Sequence, residues 1–300
     1  MTVCGKNDAN IKLIERALGL AIYTKGTALT IKGASATVTH ARDIINELVV
    51  LTQKNVALDE TKVERIIHTK LENAGPLAPL LSKKLPLAKG RSLAPKTPSQ
   101  ATYMEKIETH DVTFAVGPAG TGKSYLAVAL GLYYLLNDRY ERLVLTRPVV
   151  EAGESLGFLP GDFEEKVSPY MRPLYDALYH LAPFDTVKKY ADMDRIEVAP
   201  LAYMRGRTLA NAYIILDEAQ NTTIPQMKMF LSRMGEGAKM VITGDITQSD
   251  LPRSTSSGLQ HALRILKHVH GIAVHEFDRA DVVRHRLVQH ILAAYDEAGN

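Results

Sequence analysis

The eight residues Gly117-Pro118-Ala119-Gly120-Thr121-Gly122-Lys123-Ser124 satisfy the pattern G-x-x-x-x-G-K-[S/T] in full. The spacing suits phosphate. Glycines let the backbone turn tightly enough for successive N–H groups to point at an anion. A helix starting beside Lys123 adds the positive end of its dipole. In such a loop the lysine reaches the β- and γ-phosphates of a nucleotide such as ATP, and the closing hydroxyl, here Ser124, serves Mg²⁺.

Two further segments end in polar groups of the right kind. Tyr213-Ile214-Ile215-Leu216 is apolar and runs into Asp217-Glu218-Ala219-Gln220. An aspartate at a strand end beside a phosphate loop organises Mg²⁺ with the loop hydroxyl, which makes Asp217 the second metal candidate after Ser124. Glu218 is the candidate to polarise an attacking water. Val241-Ile242-Thr243-Gly244-Asp245 repeats the design, and Thr243, Asp245 and Gln248 are expected to sense the γ-phosphate. Upstream, Gln100 in Pro98-Ser99-Gln100-Ala101-Thr102-Tyr103 has an amide that matches the adenine edge, and Tyr103 is expected to pack nearby. Tyr125, directly after Ser124, joins the nucleotide-contacting set.

These residues need a sheet to bring them together. Strands are expected at Val112–Val116, Leu143–Thr146, Ile196–Val198, Tyr213–Leu216, Met240–Thr243 and Ile272–Phe277. Helices are expected between them at Lys123–Leu136, Phe163–Leu181, Ile224–Met234, Ser257–His268 and Val282–Ala294. The alternation predicts an α/β fold, a doubly wound, mainly parallel P-loop NTPase (RecA-like) sheet spanning residues 97–300. Residues 73–96 carry no acidic residue, several prolines and the cations Lys83, Lys84, Lys89, Arg91 and Lys96, and predict a basic linker. Residues 1–72 predict a small α+β module with helices near Asn10–Leu18, Thr37–Lys54 and Glu60–Leu71 and a strand pair at Ala21–Tyr23 and Ala28–Ile31.

Composition narrows the class. A single cysteine, Cys4, rules out an internal disulfide framework and a cysteine-based zinc site. No apolar run is long enough to span a bilayer and no apolar signal core opens the chain, so a cytoplasmic location is expected. A net charge of +3 permits an anionic partner without demanding one.

The order of phosphate loop, Asp-Glu-Ala-Gln and Gly-Asp-x-x-Gln resembles the nucleotide-binding core of superfamily-one helicases. More closely, the chain resembles the PhoH-like ATPases. The likeness is carried by Thr146-Arg147-Pro148, Leu156-Gly157-Phe158-Leu159-Pro160-Gly161-Asp162 and Arg205-Gly206-Arg207-Thr208. It continues through Leu216-Asp217-Glu218-Ala219-Gln220-Asn221, Thr243-Gly244-Asp245, Asp250-Leu251-Pro252 and Asp281-Val282-Val283-Arg284-His285. The resemblance implies ATP binding and hydrolysis in RNA metabolism, with a link to phosphate-starvation regulons and to a ribonuclease partner of the YbeY type. It also implies a homo-oligomer, a hexameric ring. Some relatives carry a PIN nuclease domain, which this chain does not display.

Phosphoryl transfer needs a cation against the charge of its transition state, and an arginine finger contributes roughly 10³–10⁵ in rate. Superfamily-one helicases supply it from a second core, for which this chain is too short. The finger is therefore expected from the same core or from a neighbouring subunit. Arg284 is the first candidate and Arg207 the second, with Arg147 and Arg205 also in family-like segments. Residues 1–72 resemble a degenerate KH module, whose clamping Gly-x-x-Gly loop corresponds to Gly5-Lys6-Asn7-Asp8. Whether that module binds RNA or only supports assembly stays open at this point. The combined expectation is an ATPase coupled to RNA remodelling. The alternatives are an ATP-dependent scaffold that recruits a ribonuclease without strand separation, and a small-molecule kinase, for which no acceptor signature is present.

Overall fold

The computed structural model describes residues 3–26, 28–71, 84–149, 163–252 and 254–283, with 288 and 291. The chain divides into two compact units, Met1–Leu85 with Ala94–Thr102, and Pro86–Leu93 with Tyr103–Asn300. Each has its own core.

In the smaller unit, α1 (Ala9–Leu18) leads into an antiparallel hairpin of β1 (Ala21–Lys25) and β2 (Ala28–Lys32), followed by α2 (Ser35–Gln53) and α3 (Glu60–Leu71). Apolar residues recur at helical spacing: Ile11, Ile14 and Leu18 on α1, Ala41, Ile44, Leu48 and Leu51 on α2, Val63, Ile66 and Ile67 on α3. These pack into one buried cluster. Within it Lys70 pairs with the buried Glu47 at 2.7 Å, so the carboxylate is not left uncompensated. Ahead of α1, Gly5 opens a short turn in which Asn7 and Asp8 take left-handed backbone, with φ of 54° and 58°.

The expected linker is partly structured. Its described residues include two short strands, β3 (Leu85–Pro86) and β4 (Ser92–Leu93), which pair with each other. The Leu87 N–H donates to Arg91 O at 2.8 Å to close the turn between them. Next comes α4 (Pro98–Thr109), a helix the apolar periodicity did not announce because polar Gln100 and small Ala101 share its buried positions with Tyr103, Met104 and Ile107.

The larger unit continues with β5 (Val112–Val116), α5 (Lys123–Leu136), β6 (Arg142–Arg147), α6 (Phe163–Leu181), α7 (Phe184–Asp192), β7 (Ile196–Pro200), β8 (Ala212–Leu216), α8 (Ile224–Leu231), β9 (Lys239–Gly244), α9 (Gly258–Leu266) and β10 (Ile272–Glu276). Six strands form one sheet in the order β10-β5-β9-β8-β6-β7. Every pair is parallel, with Phe114 opposite both Val274 and Ile242. The strands expected from sequence are all present. Helix α7 was not foreseen, and the stretch Val282–Ala294 lies almost wholly outside the described residues.

Strand alternation sends side chains to two faces, and both are covered. Phe114, Val144, Ile214 and Ile242 pack with Met227 and Phe230 of α8 and Leu259 of α9. Side chains of the opposite parity face α5, where a Cβ on Gly131 would come within 2.7 Å of Leu143 and Tyr213. Full burial of each such large apolar side chain contributes roughly 1.5–3 kcal/mol. A buried Lys239 donates its amine to the carbonyls of Ile107 and His110 at the end of α4. Burial lowers its pKa, while the negative helix end favours its charge. Among the described residues no helix is long and apolar enough to cross a membrane.

Candidate active site

The first strand of the site is β5, and the loop that follows it turns on three glycines with positive φ, Gly117 at 140°, Gly120 at 87° and Gly122 at 90°. At Gly117 the constraint is steric as well, because a Cβ there would lie 2.3 Å from the Phe277 carbonyl oxygen. The loop is tied down from three sides. Gly117 N–H donates to Gly244 O at 3.2 Å, Val283 N–H to Gly120 O at 2.9 Å, and the Tyr103 hydroxyl to Lys123 O at 3.3 Å. The Lys123 ammonium folds back on the loop, donating to Gly117 O at 2.6 Å and Pro118 O at 2.8 Å.

Tyr103 is fully buried, so it supports the loop from behind and offers no face to a nucleobase. Its ring stacks on His275 at 5.6 Å and meets Phe277 edge-on at 5.3 Å. Burial pushes its phenol pKa well up, and the Asp217 charge adds to the shift. The same dry environment lowers the His275 pKa to about 4, with the Lys106 charge as the lesser cause.

Strand β8 delivers Asp217 and Glu218 beside that loop. Ser124 Oγ donates to Asp217 Oδ1 at 2.5 Å, and Thr243 Oγ1, from the end of β9, donates to the same oxygen at 2.7 Å. The pair Ser124 and Asp217 therefore forms a compact oxygen site, the donor chemistry Mg²⁺ prefers. Glu218 has left-handed backbone at φ 52°, an uncommon conformation for a side chain of this type. Its two carboxylate oxygens are both engaged. Arg147 Nη2, at the end of β6, donates to Oε1 at 2.8 Å, and Gln220 Nε2 donates to Oε2 at 2.5 Å. Arg147 also holds Tyr170 O at 3.1 Å and stands 4.0 Å from Asp217. Arg147, Tyr170, Glu218 and Gln220 line a crevice of about 420 Å³.

Gln220 and Asn221 stitch the crevice to the segment after β9. Gln220 Oε1 accepts the Asp245 N–H at 3.0 Å. Asn221 and Asp250 exchange two hydrogen bonds, at 3.0 and 2.9 Å. Asp245 is committed locally, with Oδ1 accepting from Thr247 N and Thr247 Oγ1 at 2.9 and 2.6 Å.

The other sequence candidates fall in different places. Gln248 is exposed and lines the same crevice. Thr243 braces Asp217 directly. Gln100 is buried in the smaller unit, where its side-chain oxygen accepts the Lys96 N–H at 2.8 Å. Arg207 is committed to a two-pronged ion pair with Glu197 at 2.5 and 2.7 Å, which fixes it on the edge of the sheet. Arg205 is exposed, and Arg284 lies outside the described residues, as does the stretch Leu156–Asp162. Pro118, Ala119, Thr121 and Tyr125 follow the loop, with Thr121 buried and Tyr125 exposed. Sequence reasoning had not singled out Gln220, and had weighed Arg147 only as one of four arginines. Their positions at strand ends were the available signal.

Comparison with known proteins shows the family. The family model described as PhoH-like protein matches residues 92–296. A PhoH-like protein of Bacillus subtilis is 46% identical over 299 residues, covering 99% of this chain and 94% of its own. One from Mycobacterium tuberculosis is 45% identical, covering 97% and 83%. Protein PhoH of Escherichia coli is 45% identical over 199 residues, 66% of this chain and 56% of its own. Among solved structures, the Pif1 helicase of Candida albicans matches at 16% identity with a TM-score of 0.35 over 65% of this chain and 42% of its own, too low to support an argument.

Proposed function

The chain belongs to the PhoH-like protein family, and from that premise we propose that it is an ATPase which couples nucleotide turnover to the remodelling or processing of RNA. What carries the proposal is the arrangement of Glu218. Its carboxylate is held on both oxygens, by Arg147 and Gln220, one residue from the Asp217–Ser124 pair. A protein that only stored a nucleotide would have no use for a positioned base.

In this scheme the loop amides and Lys123 hold the phosphate chain. Ser124 and Asp217 hold Mg²⁺, which when bound would neutralise phosphate charge. Glu218 orients the attacking water and accepts its proton. Arg147 offers a cation in cis, while a finger in trans, including Arg284, belongs to the proposed homo-oligomer. A ribonuclease partner and a cytoplasmic location are parts of the same proposal.

The decisive experiment is ATP hydrolysis, followed by phosphate release, with and without single-stranded RNA. Hydrolysis stimulated by RNA supports the coupling. Hydrolysis indifferent to RNA favours the second form, an ATP-dependent scaffold. Failure to release phosphate under any condition removes the ATPase assignment.

A further inference from the structure

A second crevice shares Gln220 with the first. It has a volume of about 610 Å³ and is walled by the segment after β9 and the first turns of α9. Ser249, Thr255, Ser257, Gln260, His261 and Arg264 supply its polar lining, and none of its lining residues is Asp or Glu. Hydroxyls, an amide, an imidazole and a guanidinium without a carboxylate favour a ligand rich in acceptor oxygens and negative charge. No carboxylate pairs with Arg264 among the described residues. Ile246, 41% exposed, puts an apolar surface in the same crevice. A bare phosphate would have no use for it, whereas a nucleotide chain offers a ribose or base to cover it. Phosphate contacts from Arg, Ser, Thr and Gln are the usual means of holding such a backbone.

Gln220 lines both crevices. Its side chain holds Glu218, while its backbone oxygen accepts from Ser257 Oγ at 3.0 Å and from Ser249 Oγ at 3.4 Å. Ser257 is the N-cap residue of α9, and its hydroxyl goes to Gln220 rather than to its own helix. A ligand that recruits either serine hydroxyl therefore acts on the residue that positions the water-activating carboxylate.

We propose that this second crevice binds single-stranded RNA through its phosphodiester backbone, and that Gln220 is the positioning residue that carries its occupancy to Glu218. The proposal rests on the RNA-coupled ATPase described above. The coupling is expected in turnover, because Gln220 acts on the carboxylate that activates water; only a part expressed as nucleotide affinity would have to be reciprocal.

The test uses the full chain and a fluorescein-labelled single-stranded oligouridine followed by anisotropy. Arg264→Glu, with an unchanged unfolding midpoint, should weaken binding at least tenfold, and Arg264→Lys should stay within threefold of the unsubstituted protein. Loss of one phosphate contact should also flatten the slope of log affinity against log salt by about 0.7. Gln220→Ala should lower ATP turnover in the absence of RNA, since it releases Glu218, and should lose the RNA-dependent change in turnover even at oligouridine concentrations that anisotropy shows to saturate that variant. If the protein binds oligouridine and Arg264→Glu binds it equally well, the crevice assignment is overturned while the RNA-coupled function stands. Failure of the unsubstituted protein to bind any single-stranded RNA overturns both. Displacement of nothing but a polyglutamate peptide from this crevice would assign it to an acidic protein and also overturn the proposal.

Discussion

Arg147 Nη2 stands 2.8 Å from Glu218 Oε1, across 71 residues of sequence. The contact joins the end of β6 to the end of β8, neighbours in the sheet, so a long sequence separation becomes one strand spacing. It gives the carboxylate a fixed direction and keeps a cation at the mouth of the crevice. Glu218 is 37% exposed on its side chain, and each held oxygen keeps a second lone pair, which leaves the carboxylate open to a water while both oxygens are fixed in direction.

Glu218→Gln should keep ATP affinity within a few-fold and lower kcat by roughly 10²–10⁴, the usual contribution of a positioned acid–base group. Arg147→Ala should lower kcat at least tenfold through loss of that orientation, with Arg147→Lys recovering only part of it, because an ammonium cannot hold Glu218 and Tyr170 O together in the same fork. Single-turnover phosphate release measures both. Full activity in Glu218→Gln would remove it from the role of water activator.

Lys123→Ala should weaken ATP binding at least tenfold and abolish hydrolysis. The ammonium is the charge that the loop supplies to the β- and γ-phosphates, and the loop carbonyls of Gly117 and Pro118 hold it in readiness. Titration calorimetry with ATP and with ADP checks it, the larger loss being expected for ATP.

Gly117→Ala should lose nucleotide binding and lower the unfolding midpoint. At φ 140° an alanine is strained, and its Cβ would collide with the Phe277 carbonyl at 2.3 Å. Strain of this kind costs on the order of 1–3 kcal/mol before any loop movement. Thermal unfolding with and without ATP separates the two effects, and a midpoint equal to that of the unsubstituted protein would show that the loop can yield.

His275 makes stability depend on pH. Its pKa is lowered to about 4 in the fold, against about 6.5 in the unfolded chain, so between these values the unfolded state binds the extra proton. Its contribution is therefore intact above about pH 6.5 and is lost as pH falls towards 4, at up to about 1.4 kcal/mol per pH unit. Since the residue backs Tyr103 behind the phosphate loop, nucleotide affinity should fall over the same window. Urea unfolding from pH 7 to pH 4 tests this, and His275→Phe should remove that part of the slope.

Much of the parallel sheet is legible locally. Val112–Val116, Ala212–Leu216 and Lys239–Gly244 are buried throughout, and the apolar stretches Phe114–Val116, Ala212–Leu216 and Met240–Ile242 say so without reference to the rest of the chain. Helix α4 carries little apolar periodicity, and its start is marked instead by a local cap, the Thr97 Oγ1 accepting the Gln100 N–H at 3.0 Å ahead of a helix that begins at Pro98. Gln100 shows the limit of such local reading. Its residue type fits an adenine edge, but its side-chain oxygen receives the backbone N–H of Lys96, a partner that only the folded turn supplies.

The sequence by itself determined the phosphate loop, the carboxylates that follow β8 and the family to which the chain belongs, because each depends on residues that are contiguous or nearly so. Only the tertiary structure decided which cations and amides serve them. Arg147 reaches Glu218 because sheet order sets β6 beside β8, whereas Arg207 is taken by Glu197, ten residues before it on the edge strand β7. Gln220 meets Glu218 from two residues away, but that it also lines a second crevice follows from the packing of the segments after β8 and β9. Spacing along the chain sets what a residue can do, but the neighbour that makes it act is chosen by packing between segments far apart in sequence.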